Sequence, residues 1–427
     1  MRILHLSTFD ADTGAARGSL WLHHALRRRG VDSIMLAGRK KRTDNAVRLL
    51  PGMIAQLAAR LRMRFDGLPL RRYHKTDDSF WTIGWLPSRL AQMAADFAPD
   101  IVHLHWVGAG FLPIQALAQF AFPVVWTLRD MWPMTGGCHY TAGCEKYRDV
   151  CGACPQLRSA DDNDLSRAIW HSKQRHWRNL DLHLVPISRW LGDCVRASPL
   201  TRQYPLEVIP NGLDTGLFTP VGKAAGRAAW QLPVGRPIAV YGAVNATTDI
   251  RKGFAELRAA LEILGRDTAV ERPMLVVFGD LQPGDIPDCG VEIRYVGYIR
   301  DNIRLSQLYA AADVAVMPSL QEAFGKTLIE AMACGTPVVA FGGGGPDDII
   351  DHRIDGYLAR HGDPTDLANG IAWSLTAVAA GTDLGRLARA KVEAAFDIDV
   401  VAARYHALYE RILRERRSDA DSLVAAQ

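Results

Sequence analysis

Residues 319–341 read SLQEAFGKTLIEAMACGTPVVAF. Two glutamates, Glu322 and Glu330, stand eight positions apart with Phe324, Gly325 and Lys326 between them. The apolar run VAVM (314–317) precedes them and the run TPVVAF (336–341) follows. Short apolar runs bounded by turn residues mark buried strands, and the stretch between them predicts a helix starting at Gly325 to Thr327. Glu322 then falls in the loop beyond the carboxyl end of the first strand. The free N–H groups and dipole of the helix start suit a diphosphate, and Gly325 lets backbone come close. Glu330, about one turn inside, can reach the diol of a ribose. Two carboxylates so placed bracket a nucleotide-sugar along its length. The plainer alternative is a helix with two ordinary surface glutamates.

The same alternation recurs outward from this stretch. MRILHLSTFD is a strand entering a polar loop, and DTGAARGSLWLHHALRRRG is an amphipathic helix that Gly30 stops. Then follow the strand VDSIMLAGR and two helix–strand pairs, LAQMAADFAPDIVHLHWVG and FLPIQALAQFAFPVVWTLRDMWP. LDLHLVPISRWLGDCVRAS is a strand, a Ser188 cap and a helix, and LEVIPNGLDTGLFTP is a strand and a long turn. The pattern restarts at RPIAVYG and runs to DGYLAR, after which FDIDVVAARYHALYERILRERR makes one long amphipathic helix with a frayed end. Strands alternating with helices imply parallel sheets wound by right-handed crossovers, an α/β chain. Three segments follow: a Rossmann-like domain over residues 1–215, a second over 216–395, and a helix and tail over 396–427.

A chain of 427 residues exceeds the usual size of one core. Its 48% hydrophobic and 22% charged residues suit a globular fold, and a net charge of +4 does not indicate nucleic-acid binding. Neither a secretory leader nor an apolar run long enough to span a membrane is evident, which predicts a cytoplasmic protein. The charge is uneven, with 14 Lys/Arg against 3 Asp between Arg27 and Lys75. Within the basic segment 53–75, Ile54, Leu57, Ala58, Leu61 and Phe65 recur at helical spacing, flanked by Arg60, Arg62 and Arg64. Such a helix can lie on an anionic membrane surface, or its apolar stripe can simply meet its own core.

Neither half carries a G-x-G-x-x-G after its first strand, nor a P-loop, which argues against a dehydrogenase or an ATPase. Instead DIRKGF sets Arg251 and Lys252 before Gly253. Fixed cations there would stabilise the charge that develops as a nucleoside diphosphate departs. In IVHLHWVG, strand alternation puts His103 and His105 on one face, His105 nearer the carboxyl end. Cys138, Cys144, Cys151 and Cys154, four of the seven cysteines, lie within 17 residues as C-x5-C-x6-C-x2-C, in a loop spanning 136–157. A structural zinc, a disulfide pair and free thiols all remain open for them, the metal favoured by the C-x2-C end in a cytosolic chain. Cys194, Cys289 and Cys334 read as ordinary buried small residues.

The ordered set QEAFGKTLIEAMACGTPVVAF, VGYIRDNIRLSQLYAAADVAVMPS, DGYLA and VIPNGLDTGLFTP resembles the retaining GT-B glycosyltransferases of family 4 over essentially the whole chain. The resemblance implies two Rossmann-like domains facing across a cleft, with an acceptor domain first, a donor domain second, and the last helix crossing back to the first. It gives Glu322 a contact to the donor sugar and Glu330 the ribose. Ala323, Phe324, Gly325 and Lys326 would offer backbone N–H groups, and Thr327 and Leu328 continue the helix-end contacts. Arg251 and Lys252 match the family's cations on the leaving diphosphate, with no catalytic metal. Many members carry G-R before this loop, where this chain has YGAVNATTDIRKG; Arg251 then takes over that phosphate contact, Asn245 or Thr247 lines the site, and Tyr298 falls with the donor. Gly14 and Arg17 match the Gly-rich loop after the first strand. VWTLRDMWPMTGGCHY resembles a polysaccharide-assembly branch whose pattern is T-[VL]-H-D-x-W-P-x-T-G-G-C-H-Y. Here Arg129, followed by Asp130, stands at the histidine. Arginine cannot act as a base at neutral pH but can hold a carboxylate or phosphate, so a uronic acid donor comes into view. FGGGGPDD matches a loop abutting the donor sugar.

The function implied is transfer of a hexose from a UDP- or GDP-type donor to a growing lipid-linked oligosaccharide in bacterial surface polysaccharide synthesis, at the inner face of the cell membrane. A GT-B sugar-nucleotide epimerase and a non-catalytic nucleotide-sugar-binding scaffold are the rivals.

Overall fold

The computed structural model describes residues 1–10, 14–41, 44–74, 80–242, 244–266, 271–279 and 290–425. Lys75 and Cys289 lie outside them. The chain divides into two units, Met1–Gly212 with Ile398–Gln427, and Leu213–Asp397.

The first unit holds β1 (Arg2–Phe9), β2 (Asp32–Arg39), β3 (Val47–Leu49), β4 (Ile101–Leu104), β5 (Val124–Leu128) and β6 (Leu182–Pro186). They form one parallel sheet in the order β3-β2-β1-β4-β5-β6. Its helices are α1 (Gly14–Arg28), α2 (Met53–Phe65), α3 (Leu90–Ala95), α4 (Leu165–His176) and α5 (Arg189–Ala197). Every residue of β4 and β5 is buried, as near-continuous apolar strands covered on both faces must be. Ser188 caps α5, its hydroxyl accepting from the Leu191 amide at 3.1 Å. The segment LEVIP does not become the expected strand. Its amides at Glu207 and Ile209 donate to Leu184 and Pro186 of β6, but Pro205 and Pro210 lack the N–H groups a full ladder needs.

The second unit repeats the plan with β7 (Ile238–Gly242), β8 (Met274–Phe278), β9 (Ile293–Gly297), β10 (Val314–Met317), β11 (Val338–Phe341) and β12 (Gly356–Ala359). Its parallel order is β12-β11-β10-β7-β8-β9. The helices are α6 (Lys223–Trp230), α7 (Phe254–Arg266), α8 (Asn302–Ala311), α9 (Lys326–Ala333), α10 (Pro364–Ala379) and α11 (Leu384–Ala395). In both sheets the first strand sits in the middle and the order reverses beside it, between β1 and β4 and between β7 and β10. The loops at such a switch diverge at the strands' carboxyl ends and leave room for a ligand.

The last helix, α12 (Ile398–Ala425), belongs to the first unit and runs further than the sequence suggests. Ile398, Val401, Ala402, Tyr405, Leu408, Tyr409 and Ile412 recur at helical spacing and join the core that β1, α1, β4 and β5 build around Ile3, Leu22, Ile101 and Val125. These are two Rossmann-like domains, the first completed by the C-terminal helix.

Candidate nucleotide-sugar site

At the switch of the second sheet, the loop after β7 and the loop after β10 lie together. The Leu320 amide donates to the Arg251 carbonyl at 2.9 Å, and the Arg251 guanidinium donates to the Gln321 carbonyl at 3.1 Å. Close contact is possible because Gly253 has no side chain: a Cβ there would lie 1.8 Å from the Pro318 carbonyl oxygen, at a φ of +72° that other residues avoid. Asp249 caps the turn, accepting from the Arg251 amide at 3.0 Å and pairing with its guanidinium at 2.9 Å.

Lys252 Nζ donates to Glu322 Oε2 at 2.8 Å, with side-chain exposures of 16% and 15%. Among the described residues this carboxylate is the ammonium's one acceptor, so two of its N–H directions stay open. Burial alone would raise the Glu322 pKa. The Lys252 and Arg251 charges, with hydrogen bonds from Lys252 and the Phe324 amide, hold it below its ordinary value. The site thus presents a fixed carboxylate beside two fixed cations.

Helix α9 starts where the sequence puts it, with Gly325 as its N-cap and Lys326 first. Ala323 and Phe324 are buried, and the Phe324 amide is spent on Glu322. Thr327 and Leu328 line a small cavity with Gly242, Phe278 and Met317, the last residues of β7, β8 and β10. The glycine loop after β11 closes on the same backbone. Gly345 donates to the Glu322 carbonyl at 2.9 Å, and a Cβ on Gly345 would meet Phe324 Cα at 2.3 Å. Tyr298 and Asn245 also come together, hydroxyl to amide oxygen at 3.3 Å, on exposed surface. Glu330 stands apart from this group. It is fully buried and accepts from the Tyr309 hydroxyl at 3.2 Å.

In the first unit Gly14 opens α1, and Arg17 lies over the Trp21 ring, 5.9 Å from its centroid. Arg129 follows β5. Its guanidinium donates to Asn211 Oδ1 and lies against Gly18, where a Cβ would be 2.8 Å from Nη1. No carboxylate pairs with it among the described residues, and burial pushes its pKa down to about 10. Asp130 turns the other way, accepting from His139 Nδ1 at 2.7 Å, Trp106 Nε1 at 2.8 Å and the Trp132 amide at 3.0 Å. His105, Arg129, Asp130 and His139 share a cavity of about 10 Å³, room for about one water.

His105 does not stand alone. Its Nε2 is hydrogen-bonded to His5 Nδ1 at 2.8 Å, and its ring centroid is 4.1 Å from that of His103. His103 is held between Thr127 Oγ1 at 2.7 Å and the Tyr409 hydroxyl at 2.6 Å, which ties β4 to α12. All three histidines are buried. His5, in the alternation ILHLS, was legible as an inward polar position but carries no motif. Asn211 and Lys173 likewise had no signal beyond their neighbours.

None of the four loop cysteines is disulfide-bonded, nor are Cys194 and Cys334, which are buried. Cys138, Cys144, Cys151 and Cys154 together line one cavity of about 20 Å³.

Two Rossmann-like domains, each a six-stranded parallel sheet, with solved glycosyltransferases as structural neighbours, define the GT-B fold class. Residues 13–217 match the model "Glycosyltransferase Family 4", and residues 239–377 match "Glycosyl transferases group 1". The chain therefore carries glycosyltransferase domains of these two kinds in that order. It is 32% identical over 290 residues to D-inositol 3-phosphate glycosyltransferase of Nocardia farcinica, covering 64% of this chain and 58% of that one. With the enzyme of the same name from Corynebacterium jeikeium it shares 26% over 332 residues, 73% of this chain and 72% of that one. Among solved structures, sucrose-phosphate synthase from Thermosynechococcus elongatus superposes with a TM-score of 0.70 at 22% identity, covering 97% of this chain and 100% of that one. Anabaena HepE, in complex with UDP and glucose, gives 0.64 at 18% identity, over 96% and 99%.

Proposed function

We propose that this protein is a retaining glycosyltransferase that moves a hexose from a UDP- or GDP-linked donor to a growing lipid-linked oligosaccharide in the synthesis of a bacterial surface polysaccharide. The observation that carries the proposal is the Lys252–Glu322 pair with Arg251 beside the start of α9. Diphosphate departure leaves negative charge, and two cations already fixed at the site stabilise it without reorganising. Their presence removes the need for a divalent ion, so catalysis is metal-independent. Glu322 orients the sugar hydroxyls, and the leaving phosphate takes the acceptor proton as the acceptor attacks from the same face. A nucleoside diphosphate donor is also in keeping with the UDP complexes of the fold neighbour Anabaena HepE. Arg129, lacking a carboxylate partner, suits a substrate carrying a carboxylate or phosphate. The test is nucleoside diphosphate release from a panel of UDP- and GDP-hexoses and hexuronic acids with polyprenyl-linked acceptors. The product should keep the donor's anomeric configuration. Inversion, or donor interconversion without acceptor, rules the proposal out.

The acceptor's lipid places the reaction on the cytoplasmic membrane face, and α2 supplies an attachment. Met53, Ile54, Leu57, Leu61 and Phe65 form a stripe along it that is 87%, 86%, 57%, 44% and 38% exposed, so the apolar face does not meet the core. Arg60 and Arg64 are exposed beside it, with Arg71 and Arg72 just beyond. Arg62 departs from the expected flank: it is buried with Ala59 on the protein side. No helix among the described residues is long and apolar enough to cross a membrane. An interfacial helix gains about 1 kcal/mol per basic side chain on an anionic surface. Arg60→Gln with Arg64→Gln should thus weaken flotation with phosphatidylglycerol vesicles by about 30-fold. Equal binding to neutral phosphatidylcholine vesicles would remove the electrostatic component.

A further inference from the structure

The loop between β5 and α4 contains a cluster that sugar transfer does not use. Cys138 is bridged to Trp81 on one side, and Cys151 and Cys154 lie thirteen and sixteen residues further on. Their side chains and that of Cys144 line the same small cavity. One donor points at a sulfur: the Gly136 amide reaches Cys151 Sγ at 3.2 Å. The Leu157 amide and the Thr135 hydroxyl go instead to the carbonyls of Cys154 and Cys138, at 3.1 and 2.6 Å. A neutral thiol is a weak acceptor, whereas a thiolate accepts strongly. The Gly136 amide therefore favours a thiolate at Cys151.

A second observation is the charge next to the cluster. Lys173 of α4 is fully buried, its Nζ donating to the carbonyls of Trp132 and Thr135, the latter at 2.9 Å, over the Trp132 ring. No carboxylate pairs with it among the described residues. Burial foremost pushes its pKa down to about 7, and Cys151, Cys138 and Asp130 act the other way. Its ammonium form is costly there without a counter-ion. Four thiolates on a divalent cation carry a net charge of −2 and supply that counter-ion.

We propose that Cys138, Cys144, Cys151 and Cys154 bind one zinc ion as a closed tetrahedral site that staples the 136–157 loop. On binding, four thiols release their protons to solvent and four Zn–S bonds form, with no change of oxidation state. The four positions leave no open coordination site, so the metal is structural. The four residues line one cavity without any three of their sulfurs lying within 4.8 Å of one another, and binding draws the sulfurs to roughly 3.8 Å, as Zn–S bonds of about 2.3 Å require.

His5, His103 and His105 are the rival. Among the described residues they alone bring three ligand atoms within 4.8 Å of one another. Both ring nitrogens of His103 are already committed to Thr127 and Tyr409, and His5 and His105 are bonded to each other. The Arg129 charge also acts on His103 and His105. A cation held by all three rings would displace one of the two His103 hydrogen bonds and face the Arg129 guanidinium.

Tag-free full-length protein, purified under reducing conditions without chelator, is analysed for metal by mass spectrometry. About one zinc per chain is expected, falling below about a tenth in Cys151→Ser or Cys154→Ser and unchanged in Cys194→Ser. Should those variants fail to fold, cobalt added to the wild-type chain after mild chelation gives a second measurement. A thiolate-to-cobalt charge-transfer band with tetrahedral d–d bands is expected, saturating near one equivalent. Four freely titrating thiols with no metal taken up, or a disulfide within the loop, overturns the proposal. So does zinc that survives Cys154→Ser and is lost in His103→Asn.

Discussion

Replacing Lys252 with methionine is expected to lower kcat about 10²- to 10³-fold, the loss seen when one preorganised electrostatic stabiliser is removed. Lys252 is held against Glu322 at 2.8 Å and has two donor directions left, so it can meet a diphosphate without first being drawn from solvent. Methionine keeps much of the length and apolar stem and removes only the charge. The same change leaves Glu322 beside one cation instead of two, at 15% exposure, which should cost about 1–2 kcal/mol of stability in the second unit. That destabilisation confuses any single variant, and the double variant Lys252→Met with Glu322→Gln separates the effects. It removes both charges, so stability should return toward wild type while turnover stays low. Recovery of turnover together with stability would show the pair to be a structural ion pair and nothing more. The measurement is nucleoside diphosphate release at saturating donor, with urea melts of the same preparations. Arg251→Gln should cost less in rate, because that guanidinium is already shared with Asp249 and the Gln321 carbonyl.

What the sequence made legible follows from what local chemistry can encode. The strand–helix alternation was readable because parallel strands covered on both faces must be largely apolar, as β8 is throughout and β4 and β5 are apart from His103 and Thr127. Helix α12 was readable from its spacing, and Ser188 from its place before an amphipathic run. Arg251 and Lys252 could be set near Glu322 only by resemblance, since their meeting depends on β7 pairing with β10 across some 70 residues. Sequence spacing says nothing about such a pairing. The same limit hid the surroundings of Glu330. A carboxylate one turn into a helix reads as reachable, but the face it occupies is set by α8, whose Tyr309 hydroxyl takes it inside. Asp130 was read with Arg129 because they are adjacent. Adjacent residues at a strand end point oppositely, and Asp130 is saturated by Trp106, Trp132 and His139. Arg129 instead meets Asn211, 82 positions away. Arg62 shows the converse case on α2, where a basic residue predicted for the membrane side turns inward with Ala59, about 100° round the helix from Leu61.

The first unit should lose about 4 kcal/mol of stability between pH 6.5 and pH 5.5, through its buried histidines. His5, His103 and His105 are buried, and desolvation foremost, then neighbouring positive charge, holds all three pKa values well below 6.5. His23, packed against the same group on α1, is lowered to about 4, by burial first and by His24 next. In the unfolded chain each ring takes a proton near pH 6.5; in the folded chain all four stay neutral. Falling pH therefore favours the unfolded state; stability is complete about one unit above pH 6.5 and declines as pH falls through that value. Each ring contributes about 1 kcal/mol over that interval, approaching about 1.4 kcal/mol per pH unit below it. Four rings lose about 4 kcal/mol, a large share of the about 5–15 kcal/mol that stabilises an ordinary domain. The depressed carboxylates, Glu322 and Asp130, do not contribute in this window, because their ordinary values of 4.5 and 3.8 lie below it. The histidines also join β1, β4 and α12 through Tyr409 and Thr127, so a proton on His103 strikes the contact that holds the last helix to the first sheet. Urea melts followed by tryptophan fluorescence at pH 7.5, 6.5, 6.0 and 5.5 should show the slope. His105→Gln should reduce it by about a quarter, since one proton fewer is taken up on unfolding. A stability that stays level to pH 5.5 would mean that the cluster accepts protons while folded, and that the Arg129 charge beside it is balanced by an anion bound in solution.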